Sequence, residues 1–348
     1  MTNLWKFSRP HTIIGTTLSV VGLYLIAFPN IAAASHHIGV LLIALIACLC
    51  GNVYIVGLNQ LTDVDIDKIN KPNLPLASGE LSLKQGQIIV IIAGIAALVI
   101  AWFSGLMLLA VVGVSLALGT AYSLPPLRLK RFPFWASFCI FTVRGVVINL
   151  GLFLHYKLYL PSPLSPLLGQ GFLTEQSLFS AILGEITPQL WALSLFVVGF
   201  AFAIAIFKDI PDIEGDKHYQ ITTLTIKIGA PAAFNLALYT LTACYLGMVA
   251  ASWAGFSWSE TWLLNENLVG EWFIGAINPV SFLGELGRNP VFFQIFVTVT
   301  HLGALGWLWW RSQQVNLEDK TSIASCYQFI WKLFFLEYLI FPAACLLA

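Results

Sequence analysis

Long apolar runs without charge alternate with short polar segments along the 348 residues. No Asp, Glu, Lys or Arg falls between Arg9 and Asp63, a run of 53 residues, or between Lys84 and Arg128, a run of 43. Shorter runs separate Glu185 from Lys208 (22 residues), Lys227 from Glu260 (32) and Arg288 from Arg311 (22). A helix needs about 20 apolar residues to cross a bilayer. The alternating segments of about ten residues that mark a membrane β-barrel are not seen. The pattern therefore predicts an all-α integral membrane protein of about nine transmembrane helices.

The two longest runs each hold a helical hairpin. Pro29-Asn30 through His36-His37 divides the first into spans near 12–28 and 39–61. Ser104-Gly105 divides the second into spans near 87–103 and 106–123. Further spans are expected near 134–155, 188–208, 232–254, 290–311 and 324–346. The whole chain, 1–348, reads as a single polytopic domain. Its two long connectors, near 156–187 and 255–289, have no uninterrupted spanning stretch and are expected to lie at the interface, with Trp258, Trp262 and Trp272 as anchors. The segment MTNLWKFSRPHTIIG lacks the apolar core of a secretory signal, so the first span is expected to be retained.

Composition sharpens this. Hydrophobic residues make up 58% and charged residues 10% of the chain, against about 45–50% and about 25% in a soluble domain. There is too little polar surface for a water-soluble fold. A disordered chain, a disulfide scaffold and a nucleic-acid binder are excluded. The lipid bilayer is the implied environment, and no protein partner is inferred. The six cysteines have no metal-ligand spacing and read as small residues of the membrane core.

Nine spans place successive loops on alternate sides. One side collects 13 of the 17 bases: Lys6, Arg9, Lys68, Lys71, Lys84, Arg128, Lys130, Arg131, Lys208, Lys217, Lys227, Arg311 and Lys320. The other side holds Lys157 and Arg288, while Arg144 and Lys332 fall inside spans. By the positive-inside rule the basic side is expected to be cytoplasmic.

The acids are as unevenly placed. Asp63, Asp65, Asp67 and Glu80 lie in the first long loop of the basic side, and Asp209, Asp212, Glu214 and Asp216 in the third. Asn59, Asp63 and Asp67 are spaced i, i+4, i+8, and Asp209, Asp212 and Asp216 i, i+3, i+7; in a helix each set shares one face. Asp65 and Glu214 point off those faces and read as solvated loop acids. Like charges so spaced repel and call for an external cation. With oxygen ligands and no His or Cys, Mg2+ is the ion expected beside phosphates. Lys68, Lys71, Lys208, Lys217, Arg128, Lys130 and Arg131 accompany the acids. Metal-holding acids beside bases suit a diphosphate. No Gly-rich phosphate loop points to a nucleotide. A diphosphate site at the end of an apolar bundle implies an amphiphilic substrate, and so Mg2+-dependent ionisation of a prenyl diphosphate.

NQLTDVDID at 59–67 and DIPDIEGD at 209–216 resemble the two Asp-rich motifs of the UbiA superfamily of membrane prenyltransferases. FSRPHTIIGT at 7–16, NKPNLPLASGE at 70–80, AYSLPPLRLKRF at 121–132, AIFKDIPDIEGD at 205–216 and YQFIWKLFFLEYLIFP at 327–342 resemble its homogentisate branch, in particular the cyanobacterial phytyltransferases. The resemblance covers essentially the whole chain. It implies alkylation of homogentisate by phytyl diphosphate, with loss of diphosphate and CO2, to give 2-methyl-6-phytylbenzoquinol for tocopherol synthesis. It further implies that Asn59, Asp63 and Asp67 hold one Mg2+ and that Asp212 and Asp216, with Asp209 nearby, hold a second. Lys68, Arg128, Lys130 and Lys208 would hold the diphosphate. The active site would lie at the cytoplasmic face, and a cyanobacterial membrane is the expected setting.

An allylic cation formed there needs a dry pocket, and an aromatic face such as that of Tyr122 can stabilise it. The acceptor carboxylate needs a cation. Arg144 and Lys332, both inside spans, are the candidates, the competing role being an ion pair with Glu337. His218, beside the second motif, reads as a loop histidine; His11, His155 and His301 carry no signal. The Asp motifs are shared by homogentisate solanesyl- and geranylgeranyltransferases, chlorophyll synthase and 4-hydroxybenzoate polyprenyltransferase, which remain alternatives. A transporter of a phosphorylated lipid is a remote one, because transport calls for acids near the bilayer midplane.

Overall fold

The structure, a computed structural model, describes residues 3–28, 31–160, 185–213, 216, 223–253 and 290–347. Every described element is helical. Among the described residues nine helices are long and apolar enough to cross a membrane: Pro10–Ala27, Ile38–Thr62, Leu83–Ser104, Leu106–Ser123, Pro133–Lys157, Pro188–Asp209, Ala230–Trp253, Val291–Ser312 and Lys320–Leu346. They match the nine spans expected from the charge-free runs. In a bilayer core the backbone must satisfy its own hydrogen bonds, which is why such runs become helices. Large apolar side chains such as Ile92, Ile95, Phe103 and Leu195 point outward and are exposed, as residues facing lipid must be.

In chain order the elements are α1 (Asn3–Phe7), α2 (Pro10–Ala27), α3 (Ile31–His36), α4 (Ile38–Thr62), α5 (Val64–Asn70), α6 (Leu83–Ser104) and α7 (Leu106–Ser123). After the cis Pro125-Pro126 bond come α8 (Pro133–Phe141), a π-helical segment (Thr142–Ile148), α9 (Asn149–Lys157), α10 (Pro188–Asp209), α11 (Leu224–Ile228), α12 (Ala230–Trp253), α13 (Pro290–Ser312) and α14 (Lys320–Leu347). The connector expected at 255–289 lies outside the described residues, as does the 161–184 part of the one at 156–187.

Local chemistry fixes the helix ends. Ser82 Oγ accepts from the Gln85 amide while Gln85 Oε1 accepts from the Ser82 amide, a capping box that starts α6. Gly105, at φ 116°, makes the turn between α6 and α7 that a side chain would resist. α4 packs on α6, α10 on α12, α12 on α13, and α14 on α2. The α4–α6 contact is close because Gly57 has no side chain: a Cβ there would meet Val90 and Phe7 at 2.6–2.7 Å.

Two stretches are not the continuous helix that their spacing suggested. α4 stops at Thr62, and Asp63 (φ −121°, ψ 17°) separates it from α5. α10 likewise stops at Asp209, two residues before Pro211, whose missing N–H and ring oppose a further turn. The π-helical segment inside the fifth span was not foreseen from sequence.

Candidate active site

The break at Asp63 separates α4 from α5, yet both helix ends contribute to one recess. Asn59, Asp63 and Asp67 therefore still face one recess, although they do not share one helix. Asp209, Asp212 and Asp216 line the same recess from the end of α10 and the segment after it, with Lys71, Lys130, Lys208 and Arg9 among them. The two acid sets, about 150 residues apart in sequence, thus meet at one end of the bundle. Asp67, Asp212 and Asp216 are buried.

Cations in the recess, and Arg128 beside it, hold these acids. Lys130 Nζ lies 2.6 Å from Asp63 Oδ2 and Arg128 Nη2 lies 3.2 Å from Asp63 Oδ1. Lys130 also donates to Asn59 Oδ1 at 3.1 Å and Thr62 Oγ1 at 2.9 Å. Lys71 is bonded to Asp212, and Lys208 stands 3.9 Å from Asp209. Asp67 Oδ2 is buried with no hydrogen-bond partner among the described residues.

Burial opposes charge on several of these groups. Asp216 is pushed up to about 7 by burial, reinforced by Asp212 and Asp209. Burial also raises Asp67, against the pull of Arg9 and Lys71. Lys130 is lowered to about 8 because its desolvation outweighs the attraction of Asp63. Among the described residues no three acidic, His or Cys side chains converge on one point. The recess nevertheless fits a hard divalent ion: its donors are carboxylate and amide oxygens, two carboxylates are held back from full charge, and one buried oxygen lacks a partner.

Below the recess lies a cavity of about 240 Å³ between α2, α4, α7, the α8–π segment and α14. Its walls are mostly apolar, with Val20, Ile55, Val111, Leu116 and Ile148 among them. Arg9, Asn59, Tyr122 and Lys208 line both recess and cavity, so the two are contiguous. Tyr122 thus stands where charge gives way to an apolar chamber.

Arg144 lines the cavity. Its guanidinium lies 5.0 Å from the Trp331 ring centroid and 6.0 Å from that of Phe334. It has no hydrogen bond or ion pair among the described residues. The π turn re-aims the side chains it carries, and in this span it carries Arg144.

Two candidate residues are not brought to the site. Lys332 is exposed on the outer face of α14. It is about 200° of helical rotation from the cavity-lining Phe334, which directs it to lipid. Lys68 is exposed and bonded to Asp65 at 2.9 Å, outside the recess. Glu337 pairs with neither Arg144 nor Lys332; its partner is His301, 3.3 Å away. His218 and Glu214 lie outside the described residues.

Two site residues are not among the expected ligands: in sequence Lys71 reads as a base accompanying the acids, and Arg9 is placed only by side. Arg9 adopts φ 54° immediately before Pro10, and its Nε is buried without a partner among the described residues. A strained, unpaired arginine of this kind is visible only in three dimensions.

The sequence profile of the UbiA prenyltransferase family matches residues 16–265. The chain is 49% identical over 343 residues to a homogentisate phytyltransferase of Synechocystis, covering 98% of this chain and 94% of the relative. It is 36% identical to the chloroplastic homogentisate phytyltransferase 1 of Arabidopsis thaliana, covering 97% of this chain and 74% of the relative. Among solved structures, a UbiA homologue of Archaeoglobus fulgidus bound to GPP and Mg2+ superposes with a TM-score of 0.57 at 15% identity, covering 99% of each chain. That likeness shows a common fold.

Proposed function

Since this chain belongs to the UbiA prenyltransferase family, we propose that it is an integral membrane prenyltransferase joining phytyl diphosphate to homogentisate. Diphosphate and CO2 leave, and the product is 2-methyl-6-phytylbenzoquinol, a precursor of tocopherols. The carrying observation is that the acid- and base-lined recess opens into an apolar cavity through Arg9, Asn59, Tyr122 and Lys208. A charged headgroup and a hydrocarbon tail need that junction. The similarity to the Synechocystis and Arabidopsis enzymes supports the identity of donor and acceptor.

Asn59, Asp63 and Asp67 would hold one Mg2+, and Asp209, Asp212 and Asp216 a second. Bound there with the diphosphate, Mg2+ supplies positive charge that stabilises the leaving group. Arg128, Lys130 and Lys208 bind the remaining phosphate oxygens, and Lys71 joins them. In the unliganded protein these bases hold the acids; in the complex their N–H groups turn to phosphate, where charge-assisted bonds are strong.

The allylic carbon then lies at the mouth of the cavity. Apolar walls exclude water from the cation formed as the C–O bond breaks, and the face of Tyr122 stabilises it. The electron-rich hydroquinone ring attacks the cation. No covalent enzyme intermediate is required. Arg144 binds the acceptor carboxylate deep in the cavity, since it is the cation that lines the cavity away from the acids. The excess of bases on the recess side supports a cytoplasmic active site.

The test is to incubate membranes containing the protein with Mg2+, radiolabelled homogentisate and phytyl, geranylgeranyl or solanesyl diphosphate. Radiolabelled phytylated quinol is the expected main product. No quinol from any donor would reject the reading.

A further inference from the structure

His301 and Glu337 form a pair that the chemistry above does not use. His301 lies in the middle of α13 and Glu337 in the inner part of α14, both within membrane spans. Their side chains are only 1% and 2% exposed, with His301 Nε2 3.3 Å from Glu337 Oε2. His301 Nδ1 lies 2.8 Å from the Val297 carbonyl, so it carries a proton and donates it there. The rings of Phe196 and Tyr245 enclose the imidazole.

Such a pair gains little stability. Desolvating two ionisable groups costs as much as their attraction returns, and apolar side chains of similar size often stabilise the site better. What the pair does supply is direction: the two ionisable groups are buried among apolar side chains and face each other, so turning α14 would leave both without a partner, which is costly. On its other side α14 meets α2 at Gly15 and Gly22, where a Cβ would come within 3.2–3.4 Å of Trp331, Phe335, Tyr338 and Pro342. The His11 ring of α2 also packs on Tyr327 and Trp331, towards the start of α14, whereas Glu337 lies further along the helix.

The rotation of α14 matters to the cavity. Phe334 and Tyr338 line it, and Trp331 lies beneath Arg144. Tyr338 follows Glu337 and donates to Asn149 Oδ1 at 2.8 Å. Asn149 is the first residue after the π segment that carries Arg144. Turning α14 by one residue, about 100°, would withdraw Tyr338 from Asn149 and Trp331 from Arg144 together.

We propose that His301 and Glu337 are positioning residues for the acceptor end of the cavity, setting the rotation of α14 through their contact on α13. The inference rests on the reading that the acceptor binds beside Arg144.

The experiment compares H301L/E337L and E337D with the unmodified protein in membranes, measuring KM for homogentisate and for phytyl diphosphate, kcat, and thermal stability. The double variant keeps the helices packed, so its thermal midpoint is expected to be unchanged or higher. Its homogentisate KM is expected to rise about tenfold while the donor KM stays within about twofold. E337D, shorter by one methylene, is expected to raise the homogentisate KM about threefold, again without effect on the donor; it decides the matter if the double variant does not accumulate. An unchanged homogentisate KM, or equal rises for both substrates, overturns the inference. No quinol from the unmodified protein would instead be the failure of the functional reading.

Discussion

Lys130 Nζ lies 2.6 Å from Asp63 Oδ2, with both side chains largely buried, so the first acid of the recess already has a cation beside it. Arg128 holds its other oxygen. The carboxylate is thus fixed in place before substrate arrives. Asp63→Asn keeps the shape and removes the charge. It is expected to lower kcat/KM for prenyl transfer at least about a hundredfold while leaving the protein folded in the membrane, as steady-state kinetics and thermal unfolding will show together.

The two lysines after the first motif are expected to separate. Lys71 is bonded to Asp212 within the recess, whereas Lys68 is exposed beside Asp65. An exposed pair of the latter kind is worth about 0–1 kcal/mol. Lys68→Ala should therefore retain near-normal activity, and Lys71→Ala should lose about tenfold or more in kcat/KM for the diphosphate. Equal effects in the same assay would contradict this placement.

Proton and metal compete for the recess. The Asp216 carboxyl is pushed up to about 7 and Asp67 is also raised. Below about 7 Asp216 carries a proton that a metal must displace. Activity titrated with Mg2+ should thus show half-saturation moving to lower Mg2+ as pH rises through about 7. Asp216→Asn should weaken Mg2+ binding and flatten that dependence. A half-saturation independent of pH in the unmodified protein would rule out the competition.

Arg144 and Lys332 make a matched pair for acceptor binding. Arg144 lines the cavity and Lys332 faces outward. Arg144→Ala is expected to raise KM for homogentisate about tenfold to a hundredfold, the effect of leaving a charged group unpaired. Lys332→Ala should leave KM unchanged. A homogentisate analogue without the carboxylate should bind the two variants alike.

The spans were legible because a bilayer demands long apolar runs, and the hairpin breaks at His36-His37 and Ser104-Gly105 fall where the helices end. The acid segments were legible because charge is scarce. The path of the backbone between the acids was not. The i, i+4, i+8 spacing of Asn59, Asp63 and Asp67 suits a straight helix, yet the chain bends at Asp63 and brings them to one recess by another route. Helical rotation was equally hidden: Arg144 and Lys332 both sit inside apolar runs, and only packing turns one inward and the other to lipid. His301 looked uninformative because its partner, Glu337, lies a full helix away in sequence. Arg9 looked like one more base on the positive side, and its strained backbone before Pro10 has no mark in composition.

The most direct measurement uses homogentisate labelled with 14C in its carboxyl group, given to membranes with phytyl diphosphate, with and without Mg2+. Labelled CO2 and phytylated quinol should appear together, in equal amounts, only when both phytyl diphosphate and Mg2+ are present, and Asp63→Asn should abolish both. Quinol formed without Mg2+, or CO2 released without quinol, would contradict the account.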